Sequence, residues 1–321
     1  MNSIEMDKLL QQALKLYDLQ QPRPTHIRHN ENMTYQITDM DKKYLLRIHK
    51  AIDGFLSTSY SDYSHMELVQ SEIDIISSLK RSKVLVQTPI SGLNGNIVQT
   101  ISNNIPVTMI EWIEGETIEK TGTTKELYFN AGKMMAEMHL FFALNKADHI
   151  NRYSYDQMIL PKIAIGVEDA ARLEILKLDT TKTLLSTLDE MRRRFDELDN
   201  IQDKHIIHGD LNTSNVIIDE KGHITPIDFG LCGYGHFYMD INIFNGDMKF
   251  SCDLIEGYKS VRNCEIIPRY MELHAVLGII LFIGAQYRRA TKDMDWFPGK
   301  VDEWCSGIFT PFINQTSIIT I

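Results

Sequence analysis

Residues 208–230, H-G-D-L-N-T-S-N-V-I-I-D-E-K-G-H-I-T-P-I-D-F-G, constrain the fold more than any other stretch of the sequence. Two short β-prone runs, V-I-I-D and H-I-T-P-I-D, flank the turn sequence E-K-G, which is typical of a hairpin. A hairpin brings both ends of this segment together. The sequence therefore predicts that Asp210, Asn215 and Asp228 surround one small volume.

Two carboxylates and a carboxamide in this arrangement suit phosphoryl transfer. One aspartate accepts or orients the proton of the attacking hydroxyl, while the other aspartate and the asparagine hold magnesium on the ATP phosphates. Magnesium prefers such hard oxygen ligands. The kinase pattern H-R-D-L-x-x-x-N followed by D-F-G is matched here except that Gly209 replaces the arginine. Each motif alone is a common turn, but both together in this order indicate a kinase-type site.

These motifs resemble those of the aminoglycoside phosphotransferase and choline kinase family, which also includes homoserine-kinase-like enzymes. The segments that carry the resemblance are 208–210 with Asn215, I-D-F-G at 227–230, A-E-M-H at 136–139 and E-W-I-E-G-E at 111–116. The resemblance covers about residues 20–290 and is specific at 208–230. It implies a protein-kinase-like fold and an ATP- and magnesium-dependent phosphotransferase that acts on a hydroxyl.

The remaining sequence predicts an α+β, bilobal architecture. An amphipathic helix at 3–19 precedes a run, Q-P-R-P-T, that breaks it. One helix, at 65–81, is inserted among predicted strands at 33–38, 43–50, 84–89, 95–102 and 106–113. After Glu114-Gly115 nearly every segment is helical. We therefore expect a small antiparallel N-lobe with its leading helix (1–112) and a larger, mainly helical C-lobe with the catalytic loop and substrate pocket (113–321).

The resemblance assigns roles to the residues of the motifs. It implies that Asp210 is the catalytic aspartate and that Asn215 and Asp228 are the magnesium ligands. In the linker, the Glu111 carbonyl and the Ile113 N–H are expected to meet the adenine edge. Ile110 would line the back of that pocket. The alternative for these linker residues is a buried strand that ends in a turn.

Arg47, in L-L-R-I, stands where the family has its phosphate-binding lysine. Arginine clamps phosphate in a bidentate manner, although its reach and geometry differ from those of lysine. Its expected partner is Glu72, with Glu67 as the runner-up. The alternative is that Arg47 faces solvent, in which case Lys43 or Lys50 would supply the cation.

The predicted phosphate loop, I-R-H-N-E-N-M-T-Y, contains no glycine. Kinases use glycine there so that backbone N–H groups approach phosphate. Asn30 and Asn32 tolerate turn conformations and could substitute. Asn32 is the expected contact to the nucleotide, and a plain hairpin turn is the alternative.

The acceptor is expected to be a small molecule. Gly209 removes the arginine that orders a phosphorylated loop in regulated protein kinases. The segment from Gly230 to Asp240 is short, with Gly233 and Gly235 suggesting a tight turn, and no A-P-E follows. We therefore expect activity that needs no prior phosphorylation. The alternatives are a protein serine/threonine kinase of the same fold and a pseudokinase-like nucleotide-binding protein.

The net charge and the distribution of apolar residues limit the kinds of partner that the chain can bind. The net charge of −10 argues against nucleic acid. Asp156 and Asp240 could line a pocket for a cationic acceptor, or they could be helix caps. The longest apolar run, 275–285, is too short to cross a bilayer and predicts a buried helix rather than a membrane anchor. The polar start of the chain, M-N-S-I-E-M-D-K, is unlike a signal peptide, so we expect a cytoplasmic protein.

Overall fold

The computed structural model describes residues 3–52, 60–145, 150–202, 204–244 and 250–318. Its helices are α1 (Ser3–Leu14), α2 (His65–Leu79), α3 (Ile118–Thr121), α4 (Lys125–Leu144), α5 (Leu160–Arg172), α6 (Leu178–Asp199), α7 (Tyr238–Phe244), α8 (Ser251–Val261), α9 (Pro268–Gln286), α10 (Phe297–Trp304) and α11 (Thr310–Ile313). Its strands are β1 (Pro22–His29), β2 (Met33–Asp39), β3 (Lys42–Ile48), β4 (Pro89–Ile90), β5 (Gln99–Ile101), β6 (Ile105–Glu111), β7 (Glu116–Thr117), β8 (Tyr153–Tyr155), β9 (His205–Ile207), β10 (Val216–Ile218), β11 (Ile224–Pro226) and β12 (Gly233–Gly235).

The N-terminal lobe is an antiparallel sheet in the order β1-β2-β3-β6-β4, with β5 paired to β6. Alternation along β2 and β3 buries Met33, Ile37, Leu46 and Ile48 in one apolar cluster. Helix α1 contributes Leu10 and its apolar neighbours to the same cluster. The leading helix is thus part of this lobe's core.

Two predictions for the N-terminal lobe were wrong. The helix predicted at 3–19 ends at Leu14, and the proline-containing run after it begins the edge strand β1, which was not predicted. Pro22 and Pro24 are tolerated there since an edge strand needs no complete ladder of N–H donors. The predicted strand at 84–89 is absent except for Pro89, which opens β4.

The C-terminal lobe is mainly helical and shares one large apolar core. Helix α9 is apolar and long enough to cross a membrane by length and composition alone, yet most of it is buried. Leu277 and Ile280, for example, are fully buried in the core, as predicted for the run at 275–285. The bilobal α+β fold is confirmed, whereas the boundary between residues 112 and 113 stays a prediction.

The predicted tight turn at Gly233 and Gly235 was wrong. These residues form strand β12, which pairs with β8 on one side and β9 on the other. A Cβ at Gly233 would collide with the backbone carbonyl of Tyr153. Glycine is therefore required here by close packing of strands, and β12 leads directly into α7.

Candidate active site

The structure brings Asp210, Asn215 and Asp228 together at the ends of the β10–β11 hairpin. Both Asp210 oxygens accept amide hydrogen bonds, Oδ2 from Asn215 Nδ2 (2.9 Å) and Oδ1 from Asn212 Nδ2 (3.1 Å). Asn215 Nδ2 also donates to the Asp210 backbone carbonyl at 2.8 Å. Asn212 was missed from the sequence, although its position two residues after Asp210 is one from which a side chain reaches back to the loop.

The environment of Asp210 favours its protonated form more than water does. Burial and the nearby charge of Asp228 raise the pKa of Asp210 to about 7, against the two amide hydrogen bonds, which lower it. A carboxylate with a pKa near neutrality is suited to accept a proton from a hydroxyl at physiological pH.

Asp240 holds the loop that carries Asp210. Its carboxylate accepts the backbone N–H groups of His208 and Gly209, each at 2.8 Å, and contacts His139 Nε2 at 2.9 Å. The side chain is fully buried and does not line the cavity beside Asp210, so the first of the two roles left open by the sequence, lining an acceptor pocket, is not the one that Asp240 has.

Asp156 acts as a cap, the alternative that the sequence left open. Its carboxylate accepts the Met158 N–H at 2.9 Å and pairs with Lys204 at 2.7 Å. The side chain is buried, and it does not line the cavity beside Asp210.

The backbone conformation and the packing at Gly209 explain why this position does not hold the arginine found in regulated kinases. Its φ is +77°, in the left-handed region, and a Cβ there would overlap the Leu231 carbonyl oxygen. A side chain at this position would displace the segment that follows Asp228. The loop is therefore built for glycine.

Asp228 lies in the left-handed conformation, with φ 64° and ψ 63°, which is uncommon for a residue with a side chain. Its carboxylate forms ion pairs with two guanidinium groups, that of Arg28 at 2.5 Å and that of Arg47 at 3.4 Å. Arg28, on strand β1, was missed because the sequence analysis did not predict that strand.

Arg47 is buried and pairs with Glu72 on α2 at 2.5 Å. Burial alone would lower the pKa of Arg47, but the Glu72 and Asp228 carboxylates raise it above its ordinary value. The solvent-facing alternative for Arg47 was therefore wrong. Glu67, the runner-up partner, instead forms a capping box with Ser64 at the start of α2.

The two lysines considered as substitutes for Arg47 are engaged elsewhere. Lys43 pairs with Glu114 and Lys50 pairs with Glu5, each at 2.8 Å. Neither bond involves Asp228 or Glu72. Of these three cations, Arg47 is thus the one that the structure joins to Glu72 and Asp228.

The oxygen donors of Asn215 and Asp228 fit magnesium. Because Asn215 donates its amide hydrogens to Asp210, its Oδ1 atom is the end left to face a metal. No group of three or more His, Cys, Asp or Glu side chains converges on a metal site within the described residues. Magnesium is usually bound through one or two protein carboxylates, with water and phosphate oxygens as its other ligands.

Residues 30–32 connect β1 to β2 in the predicted phosphate loop. None of the three has a positive φ, so the turn does not require glycine. Asn32 lines a cavity of about 270 Å³ together with Glu72 and Gly230. Glu31, which the sequence analysis did not single out, lines this cavity as well.

Arg152 ties the D-F-G segment to helix α2. Its guanidinium donates to the backbone carbonyls of Cys232 (2.7 Å), Gly230 (2.5 Å) and Phe229 (3.2 Å), and to that of Leu68 at 2.6 Å. It had no sequence signal, because its acceptors are backbone atoms far away in the chain.

The linker leaves the sheet as an extension of β6. Ile110 is fully buried, Glu111 N donates to Thr88 O at 2.8 Å, and Trp112 N donates to Lys43 O at 3.1 Å. Ile113 follows as the chain enters the C-terminal lobe. The contacts of Ile110, Glu111 and Ile113 with adenine stay a prediction.

Comparison with known proteins agrees with this geometry. A model of the phosphotransferase enzyme family matches residues 25–270. The chain belongs to this family. No curated protein sequence matched significantly.

Solved structures of phosphotransferases share the fold. A microcompartment-associated aminopropanol kinase superposes with a TM-score of 0.76 at 19% identity, covering 98% of this chain and 99% of that one. An amicoumacin kinase gives 0.73 at 18% identity, with 98% and 95% covered. A spectinomycin phosphotransferase gives 0.61 at 14% identity, with 93% and 94% covered.

Membership of the phosphotransferase family confirms the resemblance and the enzyme class that the sequence predicted, a kinase with an alcohol group as acceptor. Beside Asp210, this phosphotransferase has a cavity of about 360 Å³ that is lined mainly by apolar groups, among them Tyr155, Met239, Leu281 and Phe282. A cavity of this size suits a small organic molecule.

Proposed function

We propose that this phosphotransferase transfers the γ-phosphoryl group of ATP, with magnesium, to a hydroxyl of a small molecule. The observation that carries the proposal is the place of Asp210. Its carboxylate lines the apolar cavity on one side, and its amide partner Asn215 connects it to Asp228 on the other. An acceptor hydroxyl in that cavity would meet the group that takes its proton.

The other residues position the donor. Asn215 and Asp228 would hold magnesium, which offsets the negative charge of the phosphates when it is bound. Arg47, kept in place by Glu72, would contact the phosphates, and Asn32 would cover them. The amicoumacin kinase structure contains AMP-PNP and Ca²⁺, which supports the use of a nucleotide and a divalent metal on this fold.

The short segment between Gly230 and Asp240 favours a small molecule over a protein as the acceptor. That segment forms β12 and enters α7 at Tyr238, so it leaves little backbone on which a protein substrate could dock. The neighbouring structures are named as kinases of aminopropanol, amicoumacin and spectinomycin. We expect turnover of a small hydroxyl compound that is unaffected by phosphatase treatment of the enzyme.

Asp210→Asn tests the proposal. It keeps the shape of the side chain but removes the proton acceptor, so kcat should fall about 10²–10⁴-fold. The Kd for magnesium-ATP, measured by calorimetry, should stay within about twofold because Asp210 faces the acceptor. Asp196→Asn, on the exposed face of α6, is the matched control and should turn over like the wild type.

The acceptor for this assay comes from a screen of magnesium-dependent ATP consumption across amino alcohols, aminoglycosides and sugars. Wild-type turnover by Asp210→Asn would remove the assigned role of Asp210. Absence of magnesium-ATP binding by the wild type would remove the proposed function as a whole.

A further inference from the structure

Glu31 brings a carboxylate from the phosphate loop into the acceptor side of the cleft. It lines the apolar cavity that contains Asp210 and also the neighbouring cavity that contains Asn32. The carboxylate oxygen Oε2 lies 3.8 Å from where a Cβ on Gly230 would be. Glu31 therefore stands at the wall between the two cavities, next to the D-F-G segment.

Arg28 and Arg47 lie near enough to the Glu31 carboxylate to attract it, but neither is bonded to it. It makes no hydrogen bond or ion pair within the part of the chain that the structure describes. Arg28 and Arg47, the cations of the cleft, both bond Asp228. Burial, together with the charges of Asp228, Asp210 and Glu72, raises the pKa of Glu31 to about 8, although Arg28 lowers it.

The charged residues that line the cavity beside Asp210 indicate a role for Glu31 in binding the acceptor. Glu31 and Asp210 are the only charged side chains among the described residues that line it. Asp210 is occupied by the acceptor hydroxyl under the function proposed above. The remaining carboxylate would be stabilised by a positive charge on the same molecule, close to that hydroxyl.

We propose that Glu31 is a specificity residue that binds an ammonium group of the acceptor. The acceptor is then an amino alcohol whose ammonium lies a few bonds from the phosphorylated hydroxyl and whose apolar part packs on Met239, Leu281 and Phe282. This inference rests on the proposed function, and it assigns to the phosphate loop a second task in addition to covering the nucleotide.

Paired acceptors test the inference. Phenylalaninol carries an ammonium beside its hydroxyl, and its isostere with a methyl in place of the ammonium is the neutral partner. Aminopropanol and its methyl isostere form a smaller pair. Wild-type enzyme should prefer each amine by at least about a hundredfold in kcat/KM, since the neutral compound cannot form the charge-assisted hydrogen bond to Glu31.

Glu31→Gln should reduce that preference at least about tenfold, chiefly through KM for the amine. Glu31→Asp, which keeps the charge on a shorter side chain, should restore part of it. Glu256→Gln removes one exposed carboxylate on α8 and is the matched control, with an unchanged preference expected. Calorimetry of phenylalaninol with the magnesium–AMP-PNP complex of each variant should give the same order of affinities, and thermal melts show that each variant is folded.

The outcomes separate the two proposals. A wild-type enzyme that phosphorylates the neutral isosteres as well as the amines overturns the role of Glu31 and leaves the proposed function standing. The same holds if Glu31→Gln keeps the full wild-type preference. Failure of the wild type to phosphorylate any hydroxyl compound, charged or neutral, overturns the proposed function, and the role of Glu31 with it.

Discussion

At the scale of single residues, the buried ion pair between Arg47 and Glu72 decides how the cleft can work. Both side chains are almost fully buried, and Arg47 also reaches Asp228. The Arg47 Nε atom has no hydrogen-bond partner in the described structure, so this guanidinium is not completely satisfied by protein. A bound phosphate would supply further acceptor oxygens, which is consistent with its predicted role in the nucleotide site.

Arg47→Ala should therefore affect both stability and nucleotide binding. Removing one partner leaves Glu72 as an uncompensated buried charge, which typically costs about 3–5 kcal/mol of unfolding free energy. Chemical denaturation measures this loss, and the KM for ATP should rise. Arg47→Lys should have an unfolding free energy and a KM for ATP between those of the wild type and Arg47→Ala, because it keeps the charge but loses the bidentate geometry.

Arg23→Ala is the matched control for Arg47, since Arg23 is an exposed arginine on the same sheet. It should change the unfolding free energy by less than about 0.5 kcal/mol. Equal stability losses in Arg47→Ala and Arg23→Ala would contradict the importance of the buried pair.

Residues with a motif could be predicted from sequence, and residues that act on backbone could not. Asp210, Asn215 and Asp228 carry their chemistry in a fixed spacing, and the structure brings them together. Arg152 binds four carbonyl groups, and carbonyls are identical at every position. Arg28 reaches Asp228 only because β1 forms an edge strand. Such contacts depend on tertiary structure and leave no local pattern.

At the scale of elements, helix α9 forms one wall of the cavity beside Asp210, which is the proposed acceptor site. Leu281 and Phe282 project into it, and Gly278 opens it further. A Cβ built at Gly278 meets no atom within 4 Å. The glycine is thus not required by packing or by backbone geometry, and the space beside it belongs to the cavity.

Gly278→Leu should fill that space and block the acceptor. The KM for a verified acceptor should rise at least about tenfold, while the Kd for magnesium-ATP stays within about twofold. Glycine is less favourable than alanine in a helix interior by about 0.8–1.0 kcal/mol, and leucine ranks just below alanine, so the melting temperature should not fall. Gly299→Leu, at an open and exposed position on α10, is the control. An unchanged acceptor KM in Gly278→Leu would place the acceptor elsewhere.

Element prediction succeeded where periodicity was long and failed where it was short. Helices α2 and α4 and the hairpin β10–β11 follow clear patterns. Strand β12 was not predicted, because Gly233 and Gly235 indicate a turn by composition, whereas the strand needs them for close contact with its neighbours. Strand β1 was also not predicted, because its prolines locally resemble the end of an element.

At the scale of the whole molecule, the C-terminal lobe and the cleft contain many buried neutral histidines. Six histidines of the described chain are buried, namely His49, His139, His205, His208, His236 and His274. Burial lowers the pKa of each of them, and that of His274 to about 3. The folded protein therefore resists protons that the unfolded chain accepts.

This difference predicts loss of stability in mild acid. Above pH 6.5 these histidines are neutral in both states, so their contribution is fully present. As the pH falls below 6.5, the unfolded state takes up protons first, and each histidine lowers the unfolding free energy by about 1.4 kcal/mol per pH unit until its folded pKa is reached. Glu31 and Asp210, with raised pKa values, act in the opposite direction between about pH 8 and 4, but they are two groups against six.

His274→Gln isolates one of these contributions. Glutamine keeps a donor for the Tyr270 carbonyl, which His274 Nδ1 contacts at 2.8 Å, but it cannot be protonated. The slope of unfolding free energy against pH is measured by urea denaturation between pH 6.5 and 5. In this variant it should decrease by about 1.4 kcal/mol per pH unit, which corresponds to one proton fewer taken up on unfolding. His26→Gln, at an exposed position on β1, should leave the slope unchanged. A wild-type protein whose stability does not fall over this interval, or a His274→Gln slope equal to that of the wild type, would show that these histidines are not the source of acid sensitivity.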